Sequence, residues 1–163
     1  ELERRAGGPV VQNLTHTYSL TAAEKAYLLA NFGINADPLL DAMNARRTIA
    51  PVPSSRNYLE RNADYSGKIK NPVLTMHTII DPLVVVSNES AYRDTIMTAG
   101  RSDLLFQTYT TGLGHCNFTG PQLLTGVAAI DNWVRTGTPP SAATFPAALG
   151  FATTFEPPPF PQP

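Results

Sequence analysis

Apolar positions in the first third of the chain recur at helical spacing, and polar and breaker residues set the ends of the runs. Thr21-Ala-Ala-Glu24 is a capping-box pattern. The helix it opens carries Ala26, Tyr27, Leu28, Leu29 and Phe32, and Gly33 stands where a left-handed C-terminal stop is expected. Asp37-Pro38 then serves as N-cap and first helical residue of a second helix, ending near Arg46-Arg47. Pro51 and Pro53 read as breaks, and 57–64 as a further short helix. Residues 1–20 read as irregular, with Gly7-Gly8-Pro9 as a breaker.

The pattern changes at Gly67. Pro72-Val-Leu-Thr-Met-His77 is a short apolar run of the kind that forms a buried strand. Ser87 can cap a helix over 88–99, with Gly100 as its stop, and Leu104-Leu-Phe-Gln-Thr-Tyr109 is a second strand. Thr119-Gly-Pro-Gln122 is another capping box. Its helix places Leu123, Leu124, Val127, Ile130 and Val134 on one stripe, closed by Gly137. Strand, helix, strand, helix predicts a parallel βαβα unit with a right-handed crossover. From 138 the chain turns Pro-rich and ends Glu156-Pro-Pro-Pro-Phe-Pro-Gln-Pro163, read as a stiff arm lying on the surface. The expected organisation is therefore 1–65 helical, 66–137 α/β, and 138–163 an arm. Parallel sheets need cover on both faces and several strands, so two strands point to neighbours from another chain or a preceding half.

Composition narrows the partners. Hydrophobic residues make up 42% of the 163 and charged residues 15%, which suits a packed domain. A net charge of −1 gives no electrostatic case for binding nucleic acid or an anionic membrane. No apolar run approaches the roughly 18 residues of a membrane span. Cys116 is the single cysteine, so no internal disulfide forms and the compartment stays open. The chain starts Glu-Leu-Glu-Arg-Arg without initiator Met or signal peptide, as expected of a processed or trimmed piece. Asn13, Asn88 and Asn117 head Asn-x-Ser/Thr triplets, about the number that chance supplies in a chain rich in Thr and Ser.

Candidate chemistry sits just after the two strands: Asp81 in His77-Thr-Ile-Ile-Asp81-Pro-Leu-Val84, and His115 in Gly112-Leu-Gly-His115-Cys-Asn-Phe118. An acid and a histidine at the ends of neighbouring parallel strands can form the Asp–His part of a nucleophile triad. The two segments, in that order and with these elements between them, resemble the last two βα units of an α/β-hydrolase. The resemblance covers under half of the chain. It implies the C-terminal βαβα portion of that fold's parallel sheet, preceded by a helical, cap-like segment. It further implies that His115 acts as general base toward a serine hydroxyl and then as general acid, with Asp81 fixing its tautomer.

Two departures matter. Thr78 stands where the family often has Gly, which alters the turn before Asp81. No Gly-x-Ser-x-Gly or Gly-x-Cys-x-Gly occurs, so the nucleophile elbow and oxyanion loop are absent. Ser102, in Gly100-Arg-Ser102-Asp, lies between helix and strand, the reverse of an elbow. The resemblance thus implies a carboxylic ester hydrolase whose nucleophile lies outside this chain. Its partners would be the half that carries the nucleophile and a small-molecule ester. No cofactor is implied. The alternatives are an inactive folded fragment and a non-catalytic α/β interaction module in which Asp81 and His115 are turn residues.

Other residues take plainer readings. His77 at a strand end is a packed residue, and no metal-ligand spacing joins it to Asp81 and His115. His16 has no partner in sequence and is read as a surface or packing residue. Cys116 is read as a small buried residue. Trp133, Phe106 and Tyr109 are assigned to the core, and Arg46-Arg47 to a solvated helix end. Leu28, Leu29, Phe32, Leu39, Leu40 and Met43 either form a helix-packing core or line a lid over an acyl or aromatic substrate.

Overall fold

The structure is a computed structural model and describes residues 1–160. It is a mixed α/β chain forming two compact units, one over Glu1–Asp64 and one from Tyr65 onward.

The first unit is helical. It contains α1 (Leu2–Ala6), α2 (Ala22–Phe32), α3 (Asp37–Ala45) and α4 (Pro53–Asn62). The capping box forms as expected: the Thr21 hydroxyl accepts from the Glu24 amide, and Glu24 reaches back to the Thr21 amide at 2.7 Å. Gly33 closes α2 at φ 66°. Three readings shift. The opening residues form α1 where irregular chain was expected. Ala36, not Asp37, precedes α3, and Asp37 is its first residue. Pro53 begins α4 instead of breaking the chain, because the first helical position needs no donated amide hydrogen.

Polar stitches hold this unit. Asn44 exchanges hydrogen bonds with the Tyr18 backbone (2.9 Å each way), and the Ser55 hydroxyl donates to the Ala6 carbonyl. Arg47 donates to the carbonyls of Asn44 and His16, so it is a tie across the unit and not a solvated end. The half-buried His16 ring packs edge-on against Tyr18. Val10, Ala36 and Leu59 are buried, but no residue of α2 or α3 is. The helix-packing-core reading of those helices is therefore corrected: Leu29, Phe32, Leu39 and Met43 face solvent.

The second unit is β1 (Val73–Ile80), α5 (Ser87–Thr98), β2 (Leu105–Leu113) and α6 (Gly120–Thr136). The strands pair in parallel, from Val73↔Leu105 to Thr78↔Thr110. Pairing carries both beyond the apolar runs that announced them, to Ile80 and Leu113. Between Thr78 and Ile80 the register slips by one residue on β2, a bulge at the end that bears the site. Thr119 and Gln122 form the second capping box, and Gly137 ends α6 at φ 73°. Ser87 is buried as the first residue of α5 and makes no side-chain cap.

Residues after 138 differ most from expectation. They form short 3-10 turns at Ala142–Thr144 and Ala147–Leu149 and supply much of the core. Phe145 and Phe151 are buried with Ala129, against Leu74, Met76 and Phe106. Phe151 bridges Thr110 in antiparallel fashion, the Ala152 amide donates to the Tyr109 carbonyl, and the Thr111 amide to that of Gly150. The outer edge of β2 is thus covered by the chain's own arm. Beyond it, the fully buried Ser90 of α5 donates to the Pro158 carbonyl at 2.6 Å. The stiff surface arm expected from 138 onward is instead a strap, because an edge strand and an apolar sheet face both require cover. Residues 161–163 of the Pro-rich ending lie outside the described residues.

Coverage is uneven. Among the described residues no strand pairs with the other edge of β1. On α6, the face that packs inward is Gln122, Gly126, Ala129 and Trp133, while Leu123, Leu124, Val127 and Val134 are exposed. The apolar stripe read from spacing is real, but it is not the face that meets this sheet.

Candidate active site

Both candidate residues emerge from the C-terminal ends of the parallel strands. Asp81 follows β1 directly, and His115 lies two residues past β2. His115 Nδ1 donates to Asp81 Oδ2 at 2.8 Å, across 34 positions of sequence.

The acid is fixed from two sides. Its Oδ1 accepts from the amides of Leu83 (2.8 Å) and Val84 (2.9 Å), a turn in which the side chain substitutes for backbone. Burial by itself would raise the carboxyl. The Val84 amide, the His115 ring and the Leu83 amide outweigh it and hold the pKa down at about 2. The side chain of Asp81 is 3% exposed and that of His115 is 42%, so the acid is enclosed and the base is open. With Nδ1 committed to Asp81, the other ring nitrogen, Nε2, is left on the open side of the pair.

The two loops are stitched together. The buried Thr78 hydroxyl donates to the Gly114 carbonyl at 2.6 Å, and the Gly114 amide donates to the Ile80 carbonyl at 2.8 Å. Thr78, noted from sequence only as a departure, is a strand residue with this latching role. Gly112 is required by close approach: a Cβ there would lie 2.8 Å from the Asn117 carbonyl oxygen. The Asn117 side-chain Nδ2 in turn donates to the Leu113 carbonyl, closing the loop around His115.

Cys116 corrects the sequence reading. It is exposed, not buried, and its Sγ lies 3.5 Å from His115 Nε2. Among the described residues it is also the one non-glycine residue with positive φ, at 50°, a backbone state that redirects its side chain toward the neighbouring ring. Adjacency to His115 was visible in sequence; this conformation was not.

His77 is half-buried, its Nδ1 2.8 Å from the Thr78 carbonyl, and no cluster of metal-ligating side chains occurs among the described residues. Ser102 begins the turn before β2, at the strand end opposite the site. Nine strand residues separate the two ends, roughly 30 Å at the rise of an extended chain. Trp133 and Tyr109 are buried as assigned, and Phe106 is half-buried against Phe145. Around Asp81 and His115 the apolar side chains of Ile80, Leu83, Val85 and Leu113 are exposed. No helix among the described residues is long and apolar enough to cross a membrane.

No protein family, curated protein or solved structure matches the chain.

Proposed function

We propose that this chain is the acid- and base-bearing C-terminal portion of an α/β-hydrolase, acting on carboxylic esters through an acyl-serine intermediate. The observation that carries the reading is the His115–Asp81 pair. One imidazole nitrogen is held by an ionised, enclosed carboxylate, and the other opens outward at the carboxyl ends of parallel strands.

The serine hydroxyl would come from outside this chain. Nε2 of His115 takes its proton as the oxygen attacks the ester carbonyl, and returns that proton to the departing alcohol. Asp81 holds the tautomer and stabilises the imidazolium. A water then repeats the cycle and releases the acid. The oxyanion donors belong to the same absent part, so the isolated chain is expected to be inactive toward esters.

The unequal cover of the sheet supports such a partner. Among the described residues the β2 edge is strapped, while β1 has an edge with no strand beside it and α6 a ridge of exposed Leu123, Leu124, Val127 and Val134. A parallel strand beside β1, with its own helix against that ridge, would cover both.

The test is fluorophosphonate labelling of a polypeptide, or pair of polypeptides, containing this chain. One adduct on a serine outside residues 1–163, lost in H115Q, is the expected result. No labelling of such an assembly, or labelling indifferent to H115Q and D81N, overturns the reading.

A further inference from the structure

The chain carries a nucleophile of its own beside the base. Asp81, His115 and Cys116 stand in series: carboxylate to Nδ1 at 2.8 Å, Nε2 to Sγ at 3.5 Å. This is the arrangement that marks an activated thiol, a nucleophile in reach of a base that a third group orients. The thiol is exposed, so a small reactant can reach it.

We propose that Cys116 is a covalent modification site, at which His115 and Asp81 promote mixed-disulfide formation with small-molecule disulfides, and that the adduct covers His115 Nε2.

In this step the thiol proton passes to Nε2 as Sγ attacks one sulfur of the incoming disulfide. The new Sγ–S bond forms while the old S–S bond breaks. The departing thiolate takes the proton from Nε2 and leaves as a thiol. Cys116 is oxidised, the released sulfur is reduced, and the Asp–His pair is regenerated. The adduct then occupies the face of the ring from which a hydroxyl would be deprotonated, so the modification is a reversible block on that base. The thiol step uses only residues of this chain and does not depend on the hydrolase reading.

The experiment follows adduct formation by intact mass when the purified chain is mixed with oxidised glutathione at neutral pH. One glutathionyl adduct is expected, absent in C116S and removed by a reducing thiol. H115Q is expected to react about tenfold more slowly, and D81N also more slowly than wild type, the loss of base assistance. Circular dichroism checks that each variant keeps its fold. A second comparison needs no variant: the folded chain should outpace the same chain unfolded in urea at the same pH. Equal rates for wild type and a folded H115Q, or for folded and unfolded chain, would overturn the proposal. Fluorophosphonate labelling of the parent assembly is unaffected by that failure, so the two readings are tested separately.

Discussion

The hydroxyl of Thr78 donates to the carbonyl of Gly114 at 2.6 Å, and this bond joins the strand that delivers the acid to the loop that delivers the base. The Gly114 amide answers with a bond to the Ile80 carbonyl. Asp81 and His115 therefore meet because their backbones are already tied, and their own contact completes a frame set one residue before each of them.

Thr78→Val keeps the shape of the side chain and removes the donor. The expected loss is about 1–2 kcal/mol, the penalty for an unpartnered carbonyl in a half-buried loop. Urea unfolding checks it. A midpoint equal to that of wild type would mean that the latch contributes nothing.

Asp81 gives a pH dependence of definite sign. Its folded-state pKa of about 2 lies below the ordinary 3.8. Between these values the unfolded chain binds more protons, so acid favours unfolding. The stabilisation is complete above about pH 3.8 and drains away as pH falls through 2. Thermal unfolding across acid pH should therefore show a slope that D81N lacks in that window. Parallel slopes for the two proteins would contradict it.

Gly112→Ala places a methyl group against the Asn117 carbonyl, a backbone atom that cannot swing aside. We expect a cost of about 1–3 kcal/mol, as for other overpacked sites. The His115 ring resonances should also move in the NMR spectrum of the variant. An unchanged melting temperature with unmoved histidine signals would show that the loop is slack.

Phe151→Ala strikes the core and the strap together. The ring lies 5.1 Å from that of Phe145 and is 2% exposed. Loss of about 3–5 kcal/mol is expected. Removing everything from residue 141 onward should do worse, uncovering the β2 edge and leaving a chain that aggregates. Light scattering during refolding distinguishes the two, and a soluble, cooperatively folding truncation would refute the strap.

Leu124→Gln with Val127→Gln alters the exposed ridge of α6. Both side chains already face water in this chain, at 72% and 64% exposure. The stability of the double variant should stay within about 0.5 kcal/mol of wild type, and its solubility should rise. If the ridge meets a partner, the same pair of changes weakens that assembly. A large destabilisation of the chain alone would mean that the ridge is internal packing.

The features legible from residue order alone were local. Two capping boxes, Thr21–Glu24 and Thr119–Gln122, and two left-handed stops, Gly33 and Gly137, stand where their residues announce them. Each depends on atoms within one turn of helix, which is why it can be read from neighbouring residues alone. The order strand, helix, strand, helix and the places of Asp81 and His115 after the strands were legible for the same reason.

Which surfaces meet was settled by packing in three dimensions. The spacing of Leu123, Leu124, Val127 and Val134 defines an apolar face on α6, yet the sheet takes Gly126, Ala129 and Trp133 instead. Small residues let a helix lie close to strands, and the larger stripe is left over because the sheet formed by the described residues has two strands. The Pro-rich ending read as a tail became a strap because an open strand edge lay beside it. Cys116 read as buried because cysteines usually are, but a left-handed backbone turns it outward onto His115. In the first two cases the deciding contact joins residues far apart in sequence or depends on how many strands are present to be covered, and at Cys116 it depends on a backbone angle that residue type does not announce.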